Sequence, residues 1–438
     1  MIRRPNKVSL TSPAERVARL SFFLYVIFMV VGTMPLRDGA EDVRDITTSN
    51  PINQVVDTVI PFVSLLCLWP RRSTVLSLLI REKYLTLFLT WCLITILWSD
   101  FTFESFKLWI RLFGSTIVIL ALLLNLKSPD EALKYLRAVF AIYIPVTFLV
   151  IAFIPAATQR DDFAAWRGLT SHKNLLGQIS FISTIIWALA VQKAPSKKRI
   201  VPGLFLIASL ILVVGTKSST NLIILLTLLM LSLYLFAERR FRRPVSLAIL
   251  GCALILFFLG NAFKLEDTTQ AFGKDATLTG RTDLWDAVLS EIETHPFIGC
   301  GFGGFWIPTN PSVLTLYEDD KFPLLPNEAH DGYLDLLNET GYVGLFLLTL
   351  IVVSYFKNLT KLRKAHSWKW FFIGVLILNV TESTLFRSSS LTGWFFIFSY
   401  VALHVELLQS GSFTSVIKIR SAIPRKFEQF QPAGTRCY

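Results

Sequence analysis

Residues 200–243 read IVPGLFLIASLILVVGTKSSTNLIILLTLLMLSLYLFAERRFRR. Two apolar runs, 200–215 and 220–237, are separated only by the turn Gly215-Thr216-Lys217-Ser218-Ser219-Thr220. Basic residues bound the pair on both sides: Lys197, Lys198 and Arg199 before it, and Arg239, Arg240, Arg242 and Arg243 after it. A helix satisfies all its backbone N–H and C=O groups internally, so such runs are suited to cross a hydrocarbon layer ~30 Å thick. The pattern predicts a transmembrane helical hairpin whose turn faces away from the side that holds the basic clusters.

Working outward, the same pattern recurs. Apolar runs lie at roughly 20–36, 53–70, 84–99, 113–126, 138–155, 175–191, 200–215, 220–237, 244–262, 333–356, 369–385 and 390–408. The expectation is an all-α polytopic membrane protein with about 12 transmembrane helices. Its parts are a cytoplasmic N-terminal segment (1–19), helices 1–9 (20–262), an outer loop (263–332), helices 10–12 (333–408) and a cytoplasmic tail (409–438). Composition agrees: 53% of residues are hydrophobic, 17% are charged and the mean hydropathy is +0.54, more apolar surface than a water-soluble core absorbs. Trp69, Trp98 and Trp394 stand at the ends of apolar runs, where an amphipathic ring suits the headgroup layer. Most Lys and Arg fall in alternate loops on the side of the N-terminus, which places both termini in the cytoplasm. The net charge of +12 is thus a topology signal and an attraction to anionic membrane lipids; the basic residues form no patch for nucleic acid. The first run follows a basic segment but no A-x-A cleavage site follows it, so it reads as an uncleaved helix. Five cysteines, mostly inside apolar runs, outline neither a disulfide nor a zinc framework.

The outer loop is acidic and long enough to carry function. Within it Leu284, Trp285, Val288, Leu289 and Ile292 recur at helical spacing, with Thr282 as a candidate N-cap. Arg281 then stands at the positive end of that helix, where its charge and free N–H groups can face an anion. Gly299, Gly301 and Gly304 spell G-x-G-x-x-G, but no strand precedes them and His295-Pro296 breaks the chain, so a dinucleotide site is rejected. These glycines instead allow sharp turning and close backbone approach, to the membrane domain or to a sugar. His330, in Asn327-Glu328-Ala329-His330-Asp331-Gly332-Tyr333 at the mouth of the tenth run, is the side chain suited to take a proton near neutral pH. The five histidines lack metal-ligand spacing, so neither a metal nor another cofactor is expected. Arg167 and Lys173 in the loop before the sixth run, and Lys217 in the hairpin turn, are outer-face cations that can grip a diphosphate or merely snorkel. Glu382, assigned to the eleventh run, is an acid in an apolar segment that can pair with Arg387.

Several of these features stand in a recognisable order. W-R-G-x-x-x-H-K-N (166–174), K-S-S-T (217–220), G-R-T-x-L-W (280–285), H-P-F-x-G-x-G-x-G (295–303) and H-D-G-Y-L-D-L-L (330–337) precede a G-x-x-G helix. This series resembles the O-antigen ligase and polymerase superfamily, and the first motif is most similar to the ExoQ-type exopolysaccharide polymerases. The resemblance implies a GT-C-like, metal-independent glycosyltransferase of the bacterial inner membrane. It would act on the periplasmic side upon undecaprenyl-diphosphate-linked oligosaccharide, with a chain-length regulator protein as a further partner. It maps an essential arginine onto Arg281, an essential histidine onto His330 and a second arginine onto Lys217, which keeps the charge but loses the planar fork. Asp331 stands where the family has Asn. Under this reading His330 is the base, Arg281 and Lys217 hold the departing diphosphate with Arg167 or Lys173, and Glu382 and Arg387 shape the cavity. The alternatives are a ligase of the same superfamily, and a flippase or transporter, against which the lack of paired halves argues.

Overall fold

The apolar runs within the described residues are helical over most of their length, except that the run at 369–385 leaves its helix after Leu378. The structure, a computed structural model, describes residues 12–32, 36, 51–159, 164–240, 281–318, 326–362 and 366–410. The ninth run (244–262), the outer loop up to residue 280 and the tail beyond 410 lie outside them. The helices are α1 (Pro13–Val31), α2 (Pro51–Leu68), α3 (Arg72–Arg81), α4 (Lys83–Thr95), α5 (Thr102–Asn125), α6 (Ala132–Phe153), α7 (Lys173–Lys193), α8 (Ile200–Gly215) and α9 (Ser219–Arg240). After the outer loop's α10 (Arg281–Thr294) and α11 (Pro311–Glu318) come α12 (Gly332–Leu359), α13 (Lys369–Leu378) and α14 (Leu391–Gln409). Among the described residues the strands are limited to a two-residue pair, Thr158–Gln159 against Ala165–Trp166. Among the described residues six stretches are long and apolar enough to cross a membrane alone, and shorter apolar helices such as α8 and α13 accompany them. The chain is an all-α polytopic membrane protein.

Packing sorts the helices into a centre and a rim. In α14, 89% of the apolar window is buried, against 28% for the stretch Pro51–Arg81. The axis is aromatic: Phe395 stacks on Phe371, Phe396 on Phe372, and Phe372 on Tyr355, with centroids 3.7–4.9 Å apart. Rim helices instead expose large apolar side chains, including Phe62, Leu66, Phe153, Ile200 and Phe346. Those faces are stable only against lipid chains, since water would oppose so much apolar area.

The long helix α12 breaks at Gly341 (φ 67°), and the break anchors the outer loop. Cys300 and Gly301 N–H donate to the carbonyls of Asn338 and Glu339, while Tyr342 and Val343 N–H donate to those of Pro296 and Phe297. Interrupting the helix frees these groups, and the loop backbone satisfies them. A Cβ on Gly341 would lie 2.3 Å from the Phe297 carbonyl, so only glycine fits the approach. Gly299 lies against Glu339 and Gly301 against Ser99, so these glycines press the loop onto the membrane domain.

Candidate active site

The segment that carries His330 is held from several directions. Asp331 caps α12, its Oδ1 accepting from Tyr333 and Leu334 N–H. Asp335, one turn into α12, accepts from Ala329 N–H, from Trp306 Nε1 at 2.7 Å and from Arg387 Nη2 at 3.0 Å. Arg387 also donates to the Asn327 carbonyl, and Trp285 Nε1 to that of Ala329. These contacts fix His330 at φ 53°, a left-handed conformation that costs a non-glycine residue on the order of 1 kcal/mol.

The imidazole faces two carboxylates. Nδ1 lies 2.9 Å from Glu328 Oε1 and 3.8 Å from Glu382 Oε2. The approach is not aligned as a hydrogen bond, so the attraction is that of an ion pair. No described residue pairs with Nε2, and the side chain keeps 34% of its surface open. Burial alone would depress the imidazole's pKa, but Glu328 and Glu382 outweigh it and push it up to about 9. Burial likewise opposes ionisation of Glu328, yet His330, with Arg387 and His172 farther off, holds its carboxyl well below the ordinary range. At neutral pH the site is therefore an imidazolium between carboxylates. Glu328, His330 and Glu382 offer ligand atoms within 4.8 Å of one another, a set that could share a divalent cation in place of the proton. Chain spacing concealed this grouping because Glu382 arrives from a distant turn.

Glu328 and Glu382 also line a cavity of about 330 Å³ between the ends of α1, α2, α5 and α7 and the turn before α14. His172, Arg111 and Arg387 are its cationic or titratable walls. Arg111 and Arg387 also border a neighbouring cavity of about 100 Å³.

The structure brings some of the expected residues together and separates others. Arg281 and Thr282 both lie within α10 as described, so Thr282 is a helical residue and not the cap. Leu284, Val288 and Ile292 of α10 pack with Phe305, Trp306 and Val313. This packing and the Trp285 bond place the start of α10 beside the His330 segment. Lys217 occupies an exposed turn at φ 50°. A polar chain links that turn to the site: Ser218 Oγ accepts from Asn221, Asn221 donates to the Asn174 carbonyl, and Asn174 donates to Glu382 Oε1. Lys173 is the first residue of α7, next to the cavity-lining His172. Arg167 is buried and donates to the carbonyls of Ala156, Ser171 and Leu36, which shapes its loop.

Two further expectations are corrected. Glu382 is not within a span: α13 ends at Leu378, and Asn379 Oδ1 takes up Thr384 and Leu385 N–H to form a turn. Nor does Glu382 pair with Arg387, whose ion pair is with Asp335. Sequence reasoning also assigned no role to Glu328, Asp335, His172 or Arg111. Glu328 and Asp335 stand within the motifs already singled out, so their acidity beside His330 was the available signal.

Comparison with known proteins supports the resemblance read from the motifs. Residues 203–349 match the Wzy_C family, described as O-Antigen ligase, a region that includes Lys217, Arg281 and His330. The exopolysaccharide production protein ExoQ of Rhizobium meliloti is 33% identical over 113 residues, which are 24% of this chain and 26% of that protein. A Rickettsia felis protein named "Putative polysaccharide ligase" is 24% identical over 163 residues, 34% of this chain and 40% of its own length. The chain thus spans between about a quarter and two fifths of these relatives. No solved structure matches it.

Proposed function

We propose that this protein is a glycosyltransferase that polymerises undecaprenyl-diphosphate-linked oligosaccharide units into exopolysaccharide, on the periplasmic face of a bacterial inner membrane. The observation that carries this reading is His330, clamped through Nδ1 by Glu328 and Glu382 beside a polar cavity, within the stretch similar to the ligase family. Glycosyl transfer needs an acceptor hydroxyl made more nucleophilic and a leaving group whose charge is stabilised.

In this mechanism the carboxylates orient the ring and raise its basicity, so that Nε2 takes the acceptor proton once His330 has lost its own. Arg281 and Lys217 hold the departing diphosphate, Arg387 keeps the His330 segment in place, and direct displacement inverts the anomeric centre. The basic loops lie at the opposite ends of the spans from the site, which supports the periplasmic assignment.

The ligase reading draws support from the Rickettsia relative, which is named as a polysaccharide ligase, and one assay separates the two. Purified protein in detergent is given undecaprenyl-diphosphate oligosaccharide, with and without lipid A core. A ladder of longer lipid-linked chains is the expected product. Transfer to the core alone would make it a ligase, and no transfer with either acceptor would overturn the glycosyltransferase reading.

A further inference from the structure

Asp57 and Arg111 form a charged pair inside two membrane-spanning helices, on the wall of the cavity that Glu328 and Glu382 also line. Arg111 Nε lies 2.6 Å from Asp57 Oδ2. Helices α2 and α5 meet closely here because Gly114 packs against Pro61, where a Cβ would come within 2.9 Å of the proline ring. The Asp57 side chain is only 10% exposed, and its partners are Arg111 and Tyr25. Beside it the fully buried Tyr25 hydroxyl faces Asp57 and Ser115. A carboxylate offers about four acceptor sites, so Arg111 and Tyr25 leave Asp57 with capacity for a further donor that arrives from outside. Asp57 and Arg111 both line the 330 Å³ cavity, so that donor has a place to sit.

The chemistry of the walls selects the ligand. Asp57 neutralises Arg111, which leaves a carboxylate oxygen that can only accept and a guanidinium with donors to spare. An ionised diphosphate bridge or phosphodiester brings no proton to Asp57 and is repelled by it, whereas sugar hydroxyls both donate and accept. The nearby lining is neutral and polar, with Asn53, Thr170, Gln178 and Ser389, and Phe28 supplies an apolar wall. We infer that Asp57 and Arg111 are the floor of a sugar-binding subsite, in which Asp57 accepts from hydroxyls of a neutral saccharide and Arg111 donates to its oxygens. The choice of a saccharide rests in part on the glycosyl-transfer reading; the spare acceptor capacity of Asp57 does not.

The test is saturation-transfer NMR on the full chain in detergent, with methyl glycosides of glucose, galactose and mannose and their monodeoxy analogues as probes. At least one glycoside should bind, and at least one deoxy analogue of it should bind ~10-fold or more weakly, because a site built for a hydroxyl is left unpaired without it. Asp57→Asn should weaken the glycoside by ~10-fold or more, as expected for loss of a charge-assisted hydrogen bond. The double variant Asp57→Asn/Arg111→Gln removes both charges at once, leaves no lone buried ion, and should do the same with thermal stability retained. No binding by any glycoside, or glycoside binding unchanged in the folded double variant, overturns the inference. So does a gain of inorganic diphosphate binding in Asp57→Asn with glycosides unaffected, which would mark an anion site. Asp57-dependent glycoside binding without transfer activity would sink the catalytic reading alone, and transfer with unaltered glycoside binding would sink the subsite alone.

Discussion

Replacing Glu328 with Gln tests the link between the carboxylate clamp and catalysis. With His330 titrating at about 9, only about 0.3% of the sites hold a neutral imidazole at pH 6.5. If both carboxylates lost their influence and the ring returned to its ordinary 6.5, that fraction would rise to about half, a gain of more than 100-fold. Glu328 makes the closer of the two contacts, so Glu328→Gln should realise a large part of this shift while Glu382 keeps the rest. The less basic ring is also less reactive, which offsets part of the gain. The assay is kcat/KM for lengthening of the lipid-linked oligosaccharide across pH 5 to 10. In the parent protein activity should rise about tenfold per pH unit until a plateau near 9. In Glu328→Gln the plateau should begin at lower pH and lie lower. A parent profile already flat above 7, or a limb that Glu328→Gln leaves in place, would refute the clamp as the source of basicity.

Four further outcomes follow from the same contacts. Because the folded imidazole titrates above its ordinary 6.5, the clamp stabilises the fold fully below that pH and loses its effect as pH rises through about 9; the unfolding temperature of the parent should therefore fall across this window more than that of His330→Gln. His330→Ala should lower turnover ~100-fold to ~10,000-fold with little change in lipid-diphosphate binding, whereas Arg281→Ala should damage both; Lys217→Ala should weaken binding and Lys217→Arg retain it, and silence of both Lys217 changes would reduce that residue to snorkelling. Activity should survive EDTA, and its loss with recovery on one divalent ion would assign that ion to Glu328, His330 and Glu382. In a chain without native cysteines, Ser312→Cys but not Lys197→Cys should react with an impermeant thiol reagent in spheroplasts, and equal labelling would reverse the orientation.

What could be read from the chain alone follows from how strongly each feature is constrained locally. A hydrocarbon layer forces long apolar runs and basic inner loops, so α1, α2, α4 to α9 and α12 to α14 were legible wherever they are described, whereas α3 (Arg72–Arg81) forms in a stretch that reads as a basic loop. Their limits were less so, because a polar residue that faces the bundle interior looks like a loop residue. Hydropathy starts the fourth run at 113, just after Arg111, whereas α5 starts at Thr102 and carries Arg111 inside it, satisfied by Asp57 from α2. The opposite error placed Glu382 in a span. Leu385 and Phe386 look membranous, but both are buried, and Asn379, Thr381, Ser383, Thr384 and Ser388–Ser390 form the polar cluster of a turn. The motifs marked His330 and Arg281, yet the property that distinguishes His330, its raised basicity, depends on Glu382, 52 residues later, as well as on Glu328. A local pattern records which residue types stand near one another in the chain. Basicity depends on which charges meet in space, and here the turn made by Asn379 brings the second carboxylate to the imidazole.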